Sequence, residues 1–168
     1  MSGLKRAGPA VQIAAPGSAD DWRAAQRLVE EYAASLGVDL GFQDFAGELA
    51  HFEAQYAAPT GAFLLARAGA VAVGCVGLRR FAYDSGEIKR LYVVPPARGR
   101  GTAGTLVRAI VAAGQRLGYR RLVLDTLPTM SAAQELYGRL GFRPAAPYRF
   151  NPVAGTVFLE LVLRPDGD

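Results

Sequence analysis

The 168-residue chain is 51% apolar and 20% charged, the balance of an ordinary soluble protein, and long enough for one domain taken as 1–168. Nineteen Lys and Arg against fifteen Asp and Glu leave a formal charge of +4, while a single cysteine, Cys75, and a single histidine, His51, exclude an internal disulfide and argue against a metal site or Cys/His catalysis. No apolar run approaches the roughly 18 residues of a membrane span, and Pro9, Gln12 and Pro16 interrupt any signal-peptide core, so a cytoplasmic location is expected.

Residues 11–16 (VQIAAP) read as a short strand, and Ser18 with Asp21 forms a capping-box-like helix start. Trp22, Ala25, Leu28, Val29, Tyr32, Ala33 and Leu36 then recur at helical spacing until Gly37. Phe45, Leu49, Phe52 and Tyr56 predict a second amphipathic helix, with His51 off its stripe as a surface residue. After the Pro59–Gly61 break, residues 61–83 read as a hairpin turning at Gly69-Ala70. A third strand, EIKRLYVV, follows a turn at 84–86; strand alternation puts residues 87, 89, 91 and 93 on one side, and Pro95-Pro96 ends it.

From Gly101, the positions Ala103, Leu106, Val107, Ile110, Val111, Gly114 and Leu117 give the cleanest helical stripe in the chain, ending near Gly118. RLVLDT is a short buried strand. Ser131 with Gln134 predicts a capped helix whose inner face is Ala133, Leu136, Tyr137 and Leu140, closed by Gly141, and TVFLELVLR is the last strand. This order predicts one mixed, largely antiparallel sheet with helices on both faces, and mobile ends at residues 1–9 and 165–168.

Charge is concentrated in the middle. Residues 79–121 hold ten Lys and Arg against only Asp84 and Glu87, which points to an anionic ligand. Within that stretch Arg98-Gly99-Arg100-Gly101-Thr102-Ala103-Gly104 leaves a strand and opens a helix. Glycines there let the backbone approach a ligand, and the free N–H groups and dipole of the first turn favour phosphate. The spacing fits neither GxxxxGK[ST] nor a GxGxxG loop with its acidic partner. A basic protein also suits nucleic acid, but the chain has no basic tail, zinc-finger pattern or aromatic RNA-binding motif.

RGRGTA matches [QR]-x-x-G-x-[GA], the pyrophosphate loop of GNAT N-acetyltransferases, with Arg98, Gly101 and Ala103 in the defining places. Downstream, AAQELYGRLGF (residues 132–142) closely resembles the family's other diagnostic run; together with the two N-terminal helices and the hairpin, the resemblance covers roughly residues 11–164, with residues 1–83 matching in layout more than in identity. The resemblance implies the α/β (α+β type) GNAT fold: a mixed, mostly antiparallel sheet of six to seven strands, splayed between strands 4 and 5 and flanked by about four helices. It implies acetyl-CoA as co-substrate and no metal.

Carried over residue by residue, the resemblance implies that Leu91, Tyr92 and Val93 pair with the pantetheine arm. It implies that Arg98, Gly99, Arg100, Gly101, Thr102, Ala103 and Gly104 hold the pyrophosphate. Tyr137 aligns with the general acid that protonates the departing thiolate, a step suited to a phenol of ordinary pKa about 10. Two carboxylates are candidates for the base that deprotonates the amine. Glu87, eleven residues before Arg98, matches the spacing in the histone-acetylating branch and is preferred; Asp125, twelve before Tyr137, matches that of the branch acetylating ribosomal-protein N-termini. Where many members have an asparagine seven residues before the tyrosine, this chain has Met130, so Ser131 or strand backbone must supply that contact.

For the acceptor, the resemblance points to the loops 37–45 and 145–155, with Phe42, Gln43, Tyr148, Arg149 and Asn151 as lining, and with Lys89, Arg90 and Arg149 able to receive a substrate carboxylate. The expected reaction is acetyl transfer to a primary amine of a small metabolite or amino acid by direct attack in a ternary complex. Alternatives are acetylation of protein or peptide N-termini and a non-catalytic acetyl-CoA-binding or nucleic-acid-binding module. A homodimer is left open.

Overall fold

The computed structural model describes residues 9–164, so the expectation of mobile ends falls, beyond residue 9, outside the described residues. One seven-stranded sheet runs through the molecule: β1 (Val11–Ala14), β2 (Ala62–Ala68), β3 (Val71–Ala82), β4 (Ser85–Val93), β5 (Arg121–Thr126), β6 (Arg143–Pro144) and β7 (Val157–Val162), in the spatial order β1-β2-β3-β4-β5-β7-β6. Every neighbouring pair is antiparallel except β4 with β5.

The helices are α1 (Ala19–Ser35), α2 (Phe45–Ala50), α3 (Phe52–Tyr56), α4 (Thr102–Arg116) and α5 (Ser131–Arg139), with short 3₁₀ turns at Gly41–Gln43 and Pro95–Ala97. The Ser18 cap forms as predicted: its hydroxyl accepts from Asp21 N–H at 3.1 Å, and the Asp21 carboxylate accepts in return from Gly17 N–H at 2.9 Å. On one face of the sheet α4 buries Leu106, Val107 and Ile110 completely against Val76, Leu78, Leu122 and Leu124. Each such side chain is worth about 1.5–3 kcal/mol on leaving water. The other face carries α1, α2 and α3, where Trp22, Phe52, Tyr56 and Phe63 interlock with ring centroids 5.2–6.1 Å apart.

Three local expectations are corrected, and one strand was not expected. The single helix predicted over Phe45–Tyr56 is two, because His51 leaves helical geometry (φ −127°, ψ 36°) at an exposed position between them. The turn into β4 is Tyr83-Asp84, with Ala82 opposite Ser85, so Ser85 and Gly86 already belong to the strand. Ser131 is the first residue of α5 rather than its cap; Met130 precedes it with no side-chain cap, and the Gln134 amide donates to Leu127 C=O at 2.9 Å. The short β6 had no signal of its own, two exposed residues being too few to show a period.

The correction with most consequence concerns β4. Gly77 lies opposite Lys89 but Cys75 lies opposite Tyr92, so β4 carries one extra residue there. Arg90 takes a left-handed φ of 62°, uncommon for a residue with a Cβ, and forms the bulge. Alternation therefore breaks. Glu87 and Lys89 face the α1–α3 side with Tyr92, whereas Leu91 and Val93 pack with the α4 core. The Cys75 thiol donates to Arg90 C=O at 3.3 Å, and burial raises its pKa, leaving an inert thiol that helps hold the bulge.

Candidate active site

Beyond the bulge the sheet opens. β4 and β5 pair only at Ser85–Arg121, Gly86–Leu122 and Glu87–Val123, so from Ile88 to Val93 the β5-facing backbone edge of β4 has no strand partner. A gap of this kind satisfies its peptide groups with something other than sheet. It opens into a cleft of about 720 Å³ whose walls include Leu91, Tyr92, Val93, Arg98, Gly99 and Gly101–Gly104.

The loop at its mouth is shaped by two glycines in left-handed conformation, Gly99 (φ 79°) and Gly101 (φ 80°), the second being the residue from which α4 starts. A Cβ on either would meet no protein atom within 4 Å, so the space above these glycines is open and lies at the N-terminus of a fifteen-residue helix. Arg98 turns back: its Nε donates to Val93 C=O at 2.8 Å and its guanidinium lies over the Tyr92 ring at 5.7 Å, tying the loop to β4. Arg100 is exposed and is not among the cleft walls; Arg108 and Arg139, which the sequence reading passed over, are.

A second, smaller cavity of about 60 Å³ adjoins the cleft, sharing Tyr32, Leu91, Met130 and Ala133 with it. Tyr137 and Asp125 both line it, as do Phe42, Gln43, Lys89, Arg90 and Asn151. Tyr137 is 5% exposed, its ring set edge-on to Phe142 at 5.3 Å. Burial raises its pKa, with Tyr32 and Asp125 adding to the effect, so the phenol keeps its proton at any neutral pH. Tyr32 behaves likewise, burial pushing it up to about 12. Asp125 accepts from the Asn151 amide at 3.2 Å, and the Asn151 carbonyl accepts from Val153 N–H at 3.0 Å, which fixes the amide's orientation.

Glu87, the preferred base in the sequence reading, sits elsewhere. It is 1% exposed and is not among the cavity walls. Its carboxylate accepts from the Tyr148 hydroxyl at 2.8 Å and from Arg149 Nη2 at 2.7 Å, with Arg79 Nε at 3.4 Å. Tyr148 and Arg149, expected to line the acceptor loop, are thus turned onto Glu87, where Arg149 also stacks on Tyr148 and Phe81. Met130 lines both cleft and cavity, its sulfur accepting from the Thr126 hydroxyl at 3.5 Å; Ser131 is exposed and lines neither.

Sequence reasoning also missed Glu48. It is 1% exposed and accepts from Arg90 Nε at 2.9 Å and from the Tyr56 hydroxyl at 2.8 Å. Burial alone would raise its pKa, but the Arg90 charge and these bonds hold the carboxyl below its ordinary value. A signal existed: 45, 48, 49 and 52 lie on one helical stripe, and Glu48 is the single charge on an otherwise apolar face.

The model of the Acetyltransferase (GNAT) family matches residues 24–142. The chain belongs to the GNAT acetyltransferase family. It is 39% identical over 148 residues to an uncharacterized N-acetyltransferase of Schizosaccharomyces pombe, covering 87% of this chain and 89% of the relative. Its fold is that of a GNAT acetyltransferase from Staphylococcus aureus (TM-score 0.76, 20% identity, 92% of this chain and 100% of the other). It is also that of an acetyltransferase from Salmonella typhimurium solved with its cofactor acetyl-CoA (TM-score 0.73, 19% identity, 95% and 97%). The splayed, mostly antiparallel sheet is thus the GNAT fold that the two motifs implied. This acetyltransferase has no described helix long and apolar enough to cross a membrane, and its described residues hold no cluster of three potential metal ligands.

Proposed function

We propose that this acetyltransferase moves the acetyl group of acetyl-CoA to a primary amine of a small metabolite or amino acid, by direct attack while both are bound. The observation that carries this reading is the junction of cleft and cavity at Tyr32, Leu91, Met130 and Ala133, with Tyr137 and Asp125 together on the cavity side. The cleft fits the co-substrate: an open glycine cradle at a helix N-terminus suits a pyrophosphate, and the unpaired Ile88–Val93 edge suits an amide-bearing arm. When bound, acetyl-CoA supplies the acetyl group as an activated thioester.

The chain's own residues then handle two protons. An ammonium has no lone pair, so the acceptor first loses a proton, and Asp125 is the favoured receiver because it is the carboxylate lining the cavity. Glu87 is better suited to holding Tyr148 and Arg149, since its oxygens already accept from both. Tyr137, buried and kept protonated, holds the proton needed by a departing thiolate. A cavity of about 60 Å³ favours a small head group over a peptide chain. The test is release of free coenzyme A with an amine panel of amino acids, polyamines, aminoglycosides and short peptides. Turnover of small amines is expected; turnover restricted to peptides would move the reading to N-terminal acetylation.

A further inference from the structure

The wall of the small cavity carries an unbalanced charge that acetyl transfer as such does not require. Among the described residues, Glu48 and Glu87 share one ion-pair cluster with four cations, Arg79, Lys89, Arg90 and Arg149. The side chains of Arg79 and Arg149 are 19% and 23% exposed and reach water, but those of Lys89 and Arg90 are each 3% exposed, and these two line the cavity. Arg90 pairs with Glu48 at 2.9 Å and Arg149 with Glu87 at 2.7 Å, which leaves Arg79, in contact with water, and Lys89, on the cavity wall, as the surplus cations.

The donors are unspent as well. Arg90 uses Nε on Glu48, but its Nη2 is buried with no partner, an arrangement that is costly unless something completes it. Lys89 gives one bond to the Gln43 amide oxygen at 3.1 Å and stands 3.8 Å from Glu87, which leaves an ammonium's other donors uncommitted at hydrogen-bond distance. Both side chains are set by the β4 bulge, whose left-handed Arg90 sends residues 89 and 90 to the same side of the strand, where the one meets Gln43 and the other Glu48.

We propose that Arg90 and Lys89 form a carboxylate subsite, so that the acceptor is a small amine that also carries a carboxylate, with its amine toward Asp125 and Tyr137. The inference rests on the acetyl-transfer reading above. It assigns the cavity a cationic end on β4 and an acidic end on β5, the complement of an amino-acid zwitterion.

A proton-linkage follows. Lys89 is faced by Glu87 and Arg90 on its own strand, Arg79 on β3, Glu48 on α2, Arg149 in the loop before β7 and the neutral Gln43, with Asp125, Tyr32 and Tyr137 on the same cavity. Burial first, opposed by Glu87 and reinforced by the neighbouring arginines, lowers its pKa to about 7. A carboxylate placed beside it favours the ammonium, so binding above pH 7 takes up a proton rather than releasing one.

The test compares amino acids, β-alanine included, with their own carboxamides, in the parent protein and in Lys89→Met. The substitution removes a buried charge at similar length while Glu87 keeps its bonds to Tyr148 and Arg149, and a melting curve beside the kinetics checks that the variant is folded. The parent is expected to prefer the acid in kcat/KM by roughly tenfold or more, the size of a charge-assisted hydrogen bond, although the amide's more acidic ammonium favours the amide intrinsically. Lys89→Met is expected to raise KM for the acids by more than for the amides, so that the preference for the acid falls by roughly tenfold. Equal use of acids and amides, or turnover of polyamines or aminoglycosides alone, overturns the subsite and leaves acetyl transfer standing. Calorimetry of amino-acid and carboxamide binding, with coenzyme A present, separates the remaining case: tighter binding of the acids without turnover of any amine keeps the subsite and overturns the transfer reading, and equal affinity for acids and amides overturns the subsite.

Discussion

The cleft and the cavity meet at four residues but are built on different principles. The cleft is made of backbone: two left-handed glycines, a helix N-terminus and a strand edge left without a partner. Side chains there serve mainly to hold the backbone, as Arg98 does on Val93. The cavity is made of side chains drawn from α1, the 41–43 turn, β4, β5, α5 and the loop before β7, half of them charged or polar at their tips. A backbone site tolerates sequence change and binds what every family member binds. A side-chain site is where one member differs from the next, and where a single substitution changes the substrate.

The largest effects are expected at the junction. Tyr137→Phe removes only the hydroxyl and should lower kcat by roughly 10²- to 10⁴-fold with little change in acetyl-CoA affinity, read by steady-state kinetics beside calorimetry. Asp125→Asn should lose activity on a similar scale and remove the acidic limb of the pH–rate profile, provided acceptors of different amine pKa are used to separate the substrate's own ionisation. Should neither Asp125→Asn nor Glu87→Gln change rate or profile, the acceptor is deprotonated by water and the site works by alignment alone.

Gly101→Val acts on the cleft only. A β-branched residue at φ 80° is strained, yet its Cβ meets no protein atom within 4 Å, so the protein should fold, with acetyl-CoA affinity reduced by roughly tenfold or more. Undiminished affinity by calorimetry would remove the loop from the site. The smallest effect on rate is expected from Glu87→Gln, which should leave turnover within a few-fold while lowering the melting temperature, because a buried carboxylate pairing with Arg79, Lys89 and Arg149 is lost. A protein as stable as the parent but catalytically dead would return Glu87 to the chemistry.

The same division decides what the sequence could reveal. Glycines at the strand-to-helix turn, the proline stop after β4 and the tyrosine before Gly141-Phe142 are local features, each legible in a window of ten residues. They carried the resemblance that pointed to the glycine loop and to Tyr137. The bulge is not local in that sense: it is a register shift between β3 and β4, visible only when Cys75 is seen opposite Tyr92, and without it alternation assigns Leu91 to the face of Glu87. The fate of Glu87 was equally hidden, because its partners Tyr148 and Arg149 lie 61 and 62 residues downstream. The Glu48–Arg90 pair spans 42 residues and has no motif. Asp125, by contrast, was reached through the twelve-residue spacing to Tyr137 that the resemblance supplied, and it lies on β5 just beyond the last β4–β5 pair, Glu87–Val123.

Amide hydrogen exchange by mass spectrometry, read on the same protein with acetyl-CoA and then with an acceptor, tests the division of labour most directly. Acetyl-CoA is expected to protect residues 88–93 and 99–104 and to leave the 41–43 turn and the loop around Asn151 exchanging as before, with the acceptor protecting those two segments in the second step. Protection of 41–43 and Asn151 by acetyl-CoA alone, with 88–93 unchanged, would contradict the assignment of cofactor to the backbone cleft and acceptor to the charged cavity.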